Sequence, residues 1–186
     1  SQAGAQLRKA GIRKVLNTGC PTMWRFADRD TSAIPVAKSK NARVMLTDYY
    51  KQPETDAALI NTLQAHDEKV FFWPQGAGDA EYAARIGFTG KVVERTIDAL
   101  DVLLSREPDI DYVGTRLHGG VKCIAAGKRS LILEVDNRAR ESARDTGLPT
   151  MDRSDLEGIE RWVQGSKPFR ISMPVENIGK WRAQFH

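Results

Sequence analysis

The residues best suited to chemistry are Arg116 and His118, two positions apart in Asp111-Tyr112-Val113-Gly114-Thr115-Arg116-Leu117-His118-Gly119-Gly120. A guanidinium offers a planar fork of donors that suits a carboxylate or phosphate, and histidine has the one side chain that ordinarily exchanges a proton near neutrality. The stretch reads as a short buried strand that breaks at glycine and passes over Gly119 and Gly120 into a helix starting near Val121. In an open α/β sheet, ligands bind at the carboxyl ends of strands, where the first amides of the next helix favour an anion.

Two further polar turns have the same character. Thr18-Gly19-Cys20 follows a strand candidate at 14–17, and Asp136-Asn137-Arg138 follows another at 130–135. In a parallel sheet all three turns lie on one edge, which is the reason to combine them into one site. Competing structural roles remain open. Arg116 reads as an anion clamp or an ion-pair residue, His118 as a proton carrier or a hydrogen-bonded structural histidine, and Arg138 as a ligand contact or a salt bridge to Asp136. His66 reads as a helix-end residue and His186 as a frayed terminus. Cys20 and Cys123 are too few and too distant for a disulfide framework or zinc site and read as two small semi-buried thiols. Trp24, Trp73, Trp162 and Trp181 read as core or interface, with Trp24 placed to stack on a sugar.

The elements that must position these turns are short apolar strands alternating with helices. Strand candidates are 14–17, 42–47, 70–73, a fourth at Tyr112, 130–135 and a short one at 149–151. Helices are expected over 2–10, closed by Gly11, and over 53–64, 79–86 and 121–126. Val93, Ile97, Leu100 and Leu104 share a further helical face. Ser154-Asp155-Leu156-Glu157 has the form of a capping box before another helix. Residues 25–41 are polar and weakly periodic, a long loop. Val175, Ile178, Trp181 and Phe185 form an apolar stripe in a terminal helix over 170–186, which either folds back or packs on a domain outside this chain. The pattern predicts one α/β domain over 1–186, a doubly wound Rossmann-like parallel sheet of five or six strands.

Composition sets the outer bounds. With 41% hydrophobic and 28% charged residues, the chain is of the soluble globular kind, without a membrane-length apolar run or a secretion-signal pattern. A cytoplasmic protein is expected, at most peripheral to the inner membrane face. Residues 1–43 hold nine Lys or Arg against two Asp, so the positive charge is concentrated there. That end lacks the aromatic interleaving of a single-strand binder, so no nucleic acid is expected. A glycine-rich dinucleotide fingerprint, a phosphate-binding loop ending in Lys-Ser or Lys-Thr, and a Gly-x-Ser-x-Gly elbow are all absent. The short first helix suggests that the chain belongs to a longer polypeptide.

Gly114-Thr115-Arg116-Leu117-His118-Gly119, then Ala125-Ala126-Gly127-Lys128 and Leu133-Glu134-Val135-Asp136-Asn137-Arg138, resembles the carboxyl-terminal signature of the polysaccharide pyruvyl transferase family. Asn17-Thr18-Gly19-Cys20-Pro21-Thr22-Met23-Trp24 resembles another block of that family, and Ala10-Gly11-Ile12 the segment before it. The similarity extends over about 7–165.

The resemblance implies the donor-site half of a two-domain fold like the GT-B glycosyltransferases. It implies transfer of a pyruvyl group from phosphoenolpyruvate to a sugar of a cell-surface polysaccharide as a pyruvate ketal, in exopolysaccharide or cell-wall biosynthesis. Arg116, Leu117 and His118 would line the donor site, with Arg116 and His118 catalytic and Thr115, Gly119, Gly120, Asn137, Arg138, Thr18 and Gly19 contacting substrate. The acceptor would be a saccharide or lipid-linked saccharide, and the chemistry needs no metal or other cofactor. Alternatives are a GT-B glycosyltransferase half-domain that binds a nucleotide-sugar, a non-catalytic anionic-glycan-binding module, and a scaffold that forms a homo-oligomer through the terminal stripe.

Overall fold

A computed structural model describes residues 2–185; His186 lies outside them. Six strands, β1 (Asn41–Met45), β2 (Lys69–Phe72), β3 (Lys91–Val92), β4 (Ile110–Gly114), β5 (Ser130–Glu134) and β6 (Thr150–Asp152), form one sheet. All neighbours are parallel, in the order β3-β2-β1-β4-β5-β6. This is the doubly wound order, with the chain reversing direction across the sheet between β1 and β4. The helices are α1 (Gln2–Lys9), α2 (Pro53–His66), α3 (Asp79–Arg85), α4 (Ile97–Arg106), α5 (Leu117–Ala125), α6 (Asn137–Thr146), α7 (Leu156–Gln164) and α8 (Val175–Arg182).

Strand alternation divides the core into two layers. Ala42, Val44, Val113, Leu131 and Leu133 face α2, α3 and α7, where Leu59, Ile60, Tyr82 and Trp162 meet them. Met45, Tyr112 and Ile132 face α4, α5 and α6 through Leu100, Leu104, Val121, Ile124 and Ala139. Successive strand residues point to opposite faces, so continuous apolar runs are required wherever both faces are covered.

Several sequence expectations need correction. Residues 14–17 form no strand. Lys14 and Leu16 are exposed, and the chain instead continues as an irregular segment into a 3-10 helix, Pro21–Phe26, whose Met23 and Phe26 are buried in the α5 layer. The expected loop therefore begins after that helix. The two-residue β3, with both side chains exposed, carries no apolar signal and is an unforeseen edge strand. α4 starts at Ile97 because Thr96 Oγ1 accepts the Ala99 amide at 3.1 Å, which leaves Val93 outside the helix and Ile97 exposed. Asp155, not Ser154, caps α7 by accepting the Gly158 amide, while the Ser154 hydroxyl donates to Asp152. α1 ends as read, with Gly11 at φ +86° and the Ile12 amide reaching back to the Leu7 carbonyl. The α8 stripe docks on its own domain through buried Ile178 and the Trp181 ring, 4.9 Å from that of Trp24; Val175 and Phe185 stay exposed.

The largest correction concerns α5, which begins at Leu117, four residues before the expected start. Gly119 and Gly120 are thus buried inside a helix, where their missing side chains let α5 lie close on the sheet. A Cβ at Gly120 would stand 2.4 Å from Ile132 Cγ1 and 2.8 Å from Tyr112 Cε1. Gly120→Ala is expected to destabilise by about 1–3 kcal/mol through overpacking, read as a lower urea midpoint. Gly179→Ala, where a Cβ meets nothing within 4 Å, should be neutral or stabilising.

Candidate functional site

The carboxyl edge of the sheet at β1, β2, β4 and β5 gathers four turns around the start of α5. Arg116 is the N-cap residue of that helix, and its carbonyl accepts the Gly120 amide and the Tyr112 hydroxyl, the latter at 2.8 Å. No side chain caps the helix, so its first amides, those of Leu117 and His118, point their partial positive charge toward the edge. His118, in the first turn, is exposed.

Two cavities meet at this helix start. The smaller, about 170 Å³, is lined by Tyr49, Gln75, Thr115, Arg116, Leu117, His118, Asp136 and Arg138 among others. The larger, about 370 Å³, takes in Gly19, Cys20, Leu117, His118, Arg138 and residues of α6. Leu117, His118 and Arg138 belong to both. The Thr18-Gly19-Cys20 turn thus reaches the site without a strand before it: the 3-10 helix packed on α5 delivers it, and Gly19 turns at φ +66°.

The two arginines are held differently, and burial decides what each can do. Arg116 Nη2 lies 2.8 and 2.6 Å from the two carboxylate oxygens of Asp79, which is fully buried, and its guanidinium sits 5.0 Å from the Tyr49 ring centre. Breaking such a pair leaves an uncompensated buried charge. Arg138 makes two bonds to Asp136 Oδ2, at 2.9 and 2.7 Å, but its side chain is 61% exposed. An exposed pair is worth at most about 1 kcal/mol, so Arg138 can exchange Asp136 for an incoming anion while Arg116 acts as a strut. The Arg138 side chain beside Asp136 holds that carboxyl below its ordinary range, against a smaller opposing effect of burial.

The remaining expected site residues divide clearly. Thr115 is buried and touches the small cavity, its amide bonded to the Met45 carbonyl. Asn137 points instead to Glu141 Oε1 at 3.1 Å and lines neither cavity. Thr18 also lines neither, its carbonyl accepting Trp24 Nε1–H at 2.8 Å. His66 ends α2, with Nε2 3.5 Å from Glu160 Oε1, far from this edge in role.

Sequence reasoning missed Asp79. Its carboxylate accepts the amides of Asp48 after β1 (3.1 Å) and of Gln75 and Gly76 after β2 (3.0 and 2.7 Å), besides Arg116 after β4. One buried group therefore ties three strand ends. Burial opposes its ionisation, but the Gly76 amide, the Arg116 guanidinium and the Gln75 amide outweigh that and hold the carboxyl below its usual value. The available signal was Gln75-Gly76-Ala77-Gly78-Asp79: a Cβ at Gly76 would stand 2.9 Å from Asp79 Oδ1, and one at Gly78 2.4 Å from Asp48 Oδ2.

No family model and no curated protein matches the chain. Among the described residues, no group of three or more His, Cys, Asp or Glu is placed to hold a metal ion, and no helix is long and apolar enough to cross a membrane.

Proposed function

We propose that this chain is the donor-binding half of a polysaccharide pyruvyl transferase, acting on phosphoenolpyruvate and a saccharide hydroxyl. The observation that carries the reading is the meeting, at one uncapped helix start, of an exposed imidazole and an exchangeable guanidinium beside two adjoining cavities. The smaller cavity lies below the roughly 300–1,000 Å³ of sites for drug-sized ligands, which suits a three-carbon anion better than a nucleotide-sugar. The larger one offers room for the acceptor.

Phosphoenolpyruvate carries two anionic groups. One docks on the α5 amides and the other meets Arg138 after it leaves Asp136. His118, as imidazolium, protonates the methylene carbon, and the neutral ring takes the proton of the first attacking hydroxyl; the C–O bond to phosphate then breaks, and a second hydroxyl of the sugar adds to the same carbon, its proton leaving with the phosphate, to close the ketal. Arg116 enters this reading as the positioning residue that fixes the turn, with its charge directed at Asp79 rather than committed to the donor.

Calorimetric titration of the whole chain with phosphoenolpyruvate and with UDP-glucose tests the assignment. Saturable binding of phosphoenolpyruvate, relieved by inorganic phosphate, is expected. Binding of UDP-glucose alone would return the site to the nucleotide-sugar reading, and retention of an anionic glycan with neither donor bound would favour a binding module. Arg138→Ala should weaken phosphoenolpyruvate affinity about tenfold, the loss of one charge-assisted contact, with the urea midpoint unchanged.

A further inference from the structure

Cys20 takes no part in the transfer chemistry above, yet it lines the larger cavity. Its Sγ lies 3.6 Å from His118 Nε2 on one side and 3.1 Å from Thr22 Oγ1 on the other. Cys20 is half-buried rather than sealed, and the cavity it lines also holds Leu117, His118 and Arg138. The backbone holds it there: Gly19 turns in the left-handed region just before it, and Pro21 starts the 3-10 helix just after it.

We propose that Cys20 and His118 form a thiol–imidazole dyad, and that Cys20 is a site of covalent modification by small anionic electrophiles entering this cavity. Three features converge on the sulfur. An adjacent imidazole can take its proton, the cavity it lines admits a reagent, and Arg138 with the start of α5 holds an anionic reagent beside it. The inference concerns the dyad alone and does not depend on the transferase reading.

The step balances without an oxidant. His118 Nε2 takes the Sγ proton, the sulfur lone pair forms a bond to the reagent's electrophilic carbon, and the leaving group departs with the electron pair of its broken bond. With iodoacetate the products are the carboxymethyl thioether and iodide, and the imidazolium then releases its proton to solvent.

Cys123 provides an internal reference. It is fully buried in α5, donates to the Gly119 carbonyl at 2.7 Å and contacts Arg43; burial pushes its thiol up to about 11. A buried thiol of this kind is inert.

The test is the rate of alkylation at each cysteine in the native chain, read by mass spectrometry, with iodoacetate and separately with iodoacetamide. Cys20 should react at least tenfold faster than Cys123. His118→Gln and His118→Ala should each slow Cys20 at least tenfold while leaving the circular dichroism spectrum unchanged. The ratio of the iodoacetate rate to the iodoacetamide rate at Cys20 should exceed that of the urea-unfolded chain at least fivefold, and Arg138→Ala should lower it. A Cys20 rate indifferent to both His118 substitutions, or a reagent ratio equal to that of the unfolded chain, overturns the proposal. Because no donor or acceptor enters the experiment, failure to bind phosphoenolpyruvate would leave its outcome intact.

Discussion

His118→Ala is expected to lower turnover with phosphoenolpyruvate and a saccharide acceptor by about 10²–10⁴-fold, the usual contribution of a positioned general acid–base group. Donor affinity should change by no more than about threefold, because the amides of α5 and Arg138 remain. The two effects separate because His118 is exposed and buries nothing on which the core depends. A surface substitution of this kind stays within about 0.5 kcal/mol of the parent in stability, so lost activity would not reflect lost structure. Phosphate release followed continuously gives the rate, and calorimetry gives the affinity. A folded variant that releases phosphate at the parent rate would leave the ring without a proton-transfer role. An equal fall in rate and affinity would instead assign it to binding.

Asp79→Ala should act in the opposite way, through the fold. Removing this carboxylate strands the Arg116 guanidinium in a pocket where its side chain is only 12% exposed, and releases three backbone amides. Breaking one partner of a buried pair costs about 3–5 kcal/mol, on the order of a 10 °C fall in Tm for a chain of this length. The sign of the pH dependence follows from the depressed folded pKa. Ionised Asp79 contributes its full stabilisation above its ordinary value near 3.8, and loses it as pH falls through the lower folded value. The gap in unfolding free energy between parent and variant should therefore be constant from neutrality down to about pH 4 and narrow below it. Urea titrations at several pH values measure that gap, and a difference under about 1 kcal/mol at neutral pH would show that the strand ends hold together without this residue.

Much of the architecture was legible in the chain itself. The runs that became β2, β4 and β5 read as strands because both faces of a parallel sheet are covered, which demands consecutive apolar residues. β3 was not legible: two exposed residues pairing with a neighbour leave no pattern. The 14–17 segment failed in the opposite direction. Two adjacent apolar residues, Val15 and Leu16, resemble a strand locally, but pairing across space decides strand formation, and Leu16 stays exposed. Arg43 shows a different limit: 42–47 read correctly as a strand, but that this arginine is fully buried beside Tyr112 and Cys123 is not visible in hydropathy.

By itself the sequence determined the fold class and the position of an arginine and a histidine, two residues apart, just after β4. Periodicity and turn chemistry are local properties, and these follow from them. Only the tertiary structure decided that Arg116 braces the turn against Asp79 while Arg138 stays exchangeable, that Gly119 and Gly120 serve packing, and that Cys20 stands beside His118. Each of those outcomes depends on which groups from distant parts of the chain share a space, and on how much water remains there to screen their charges.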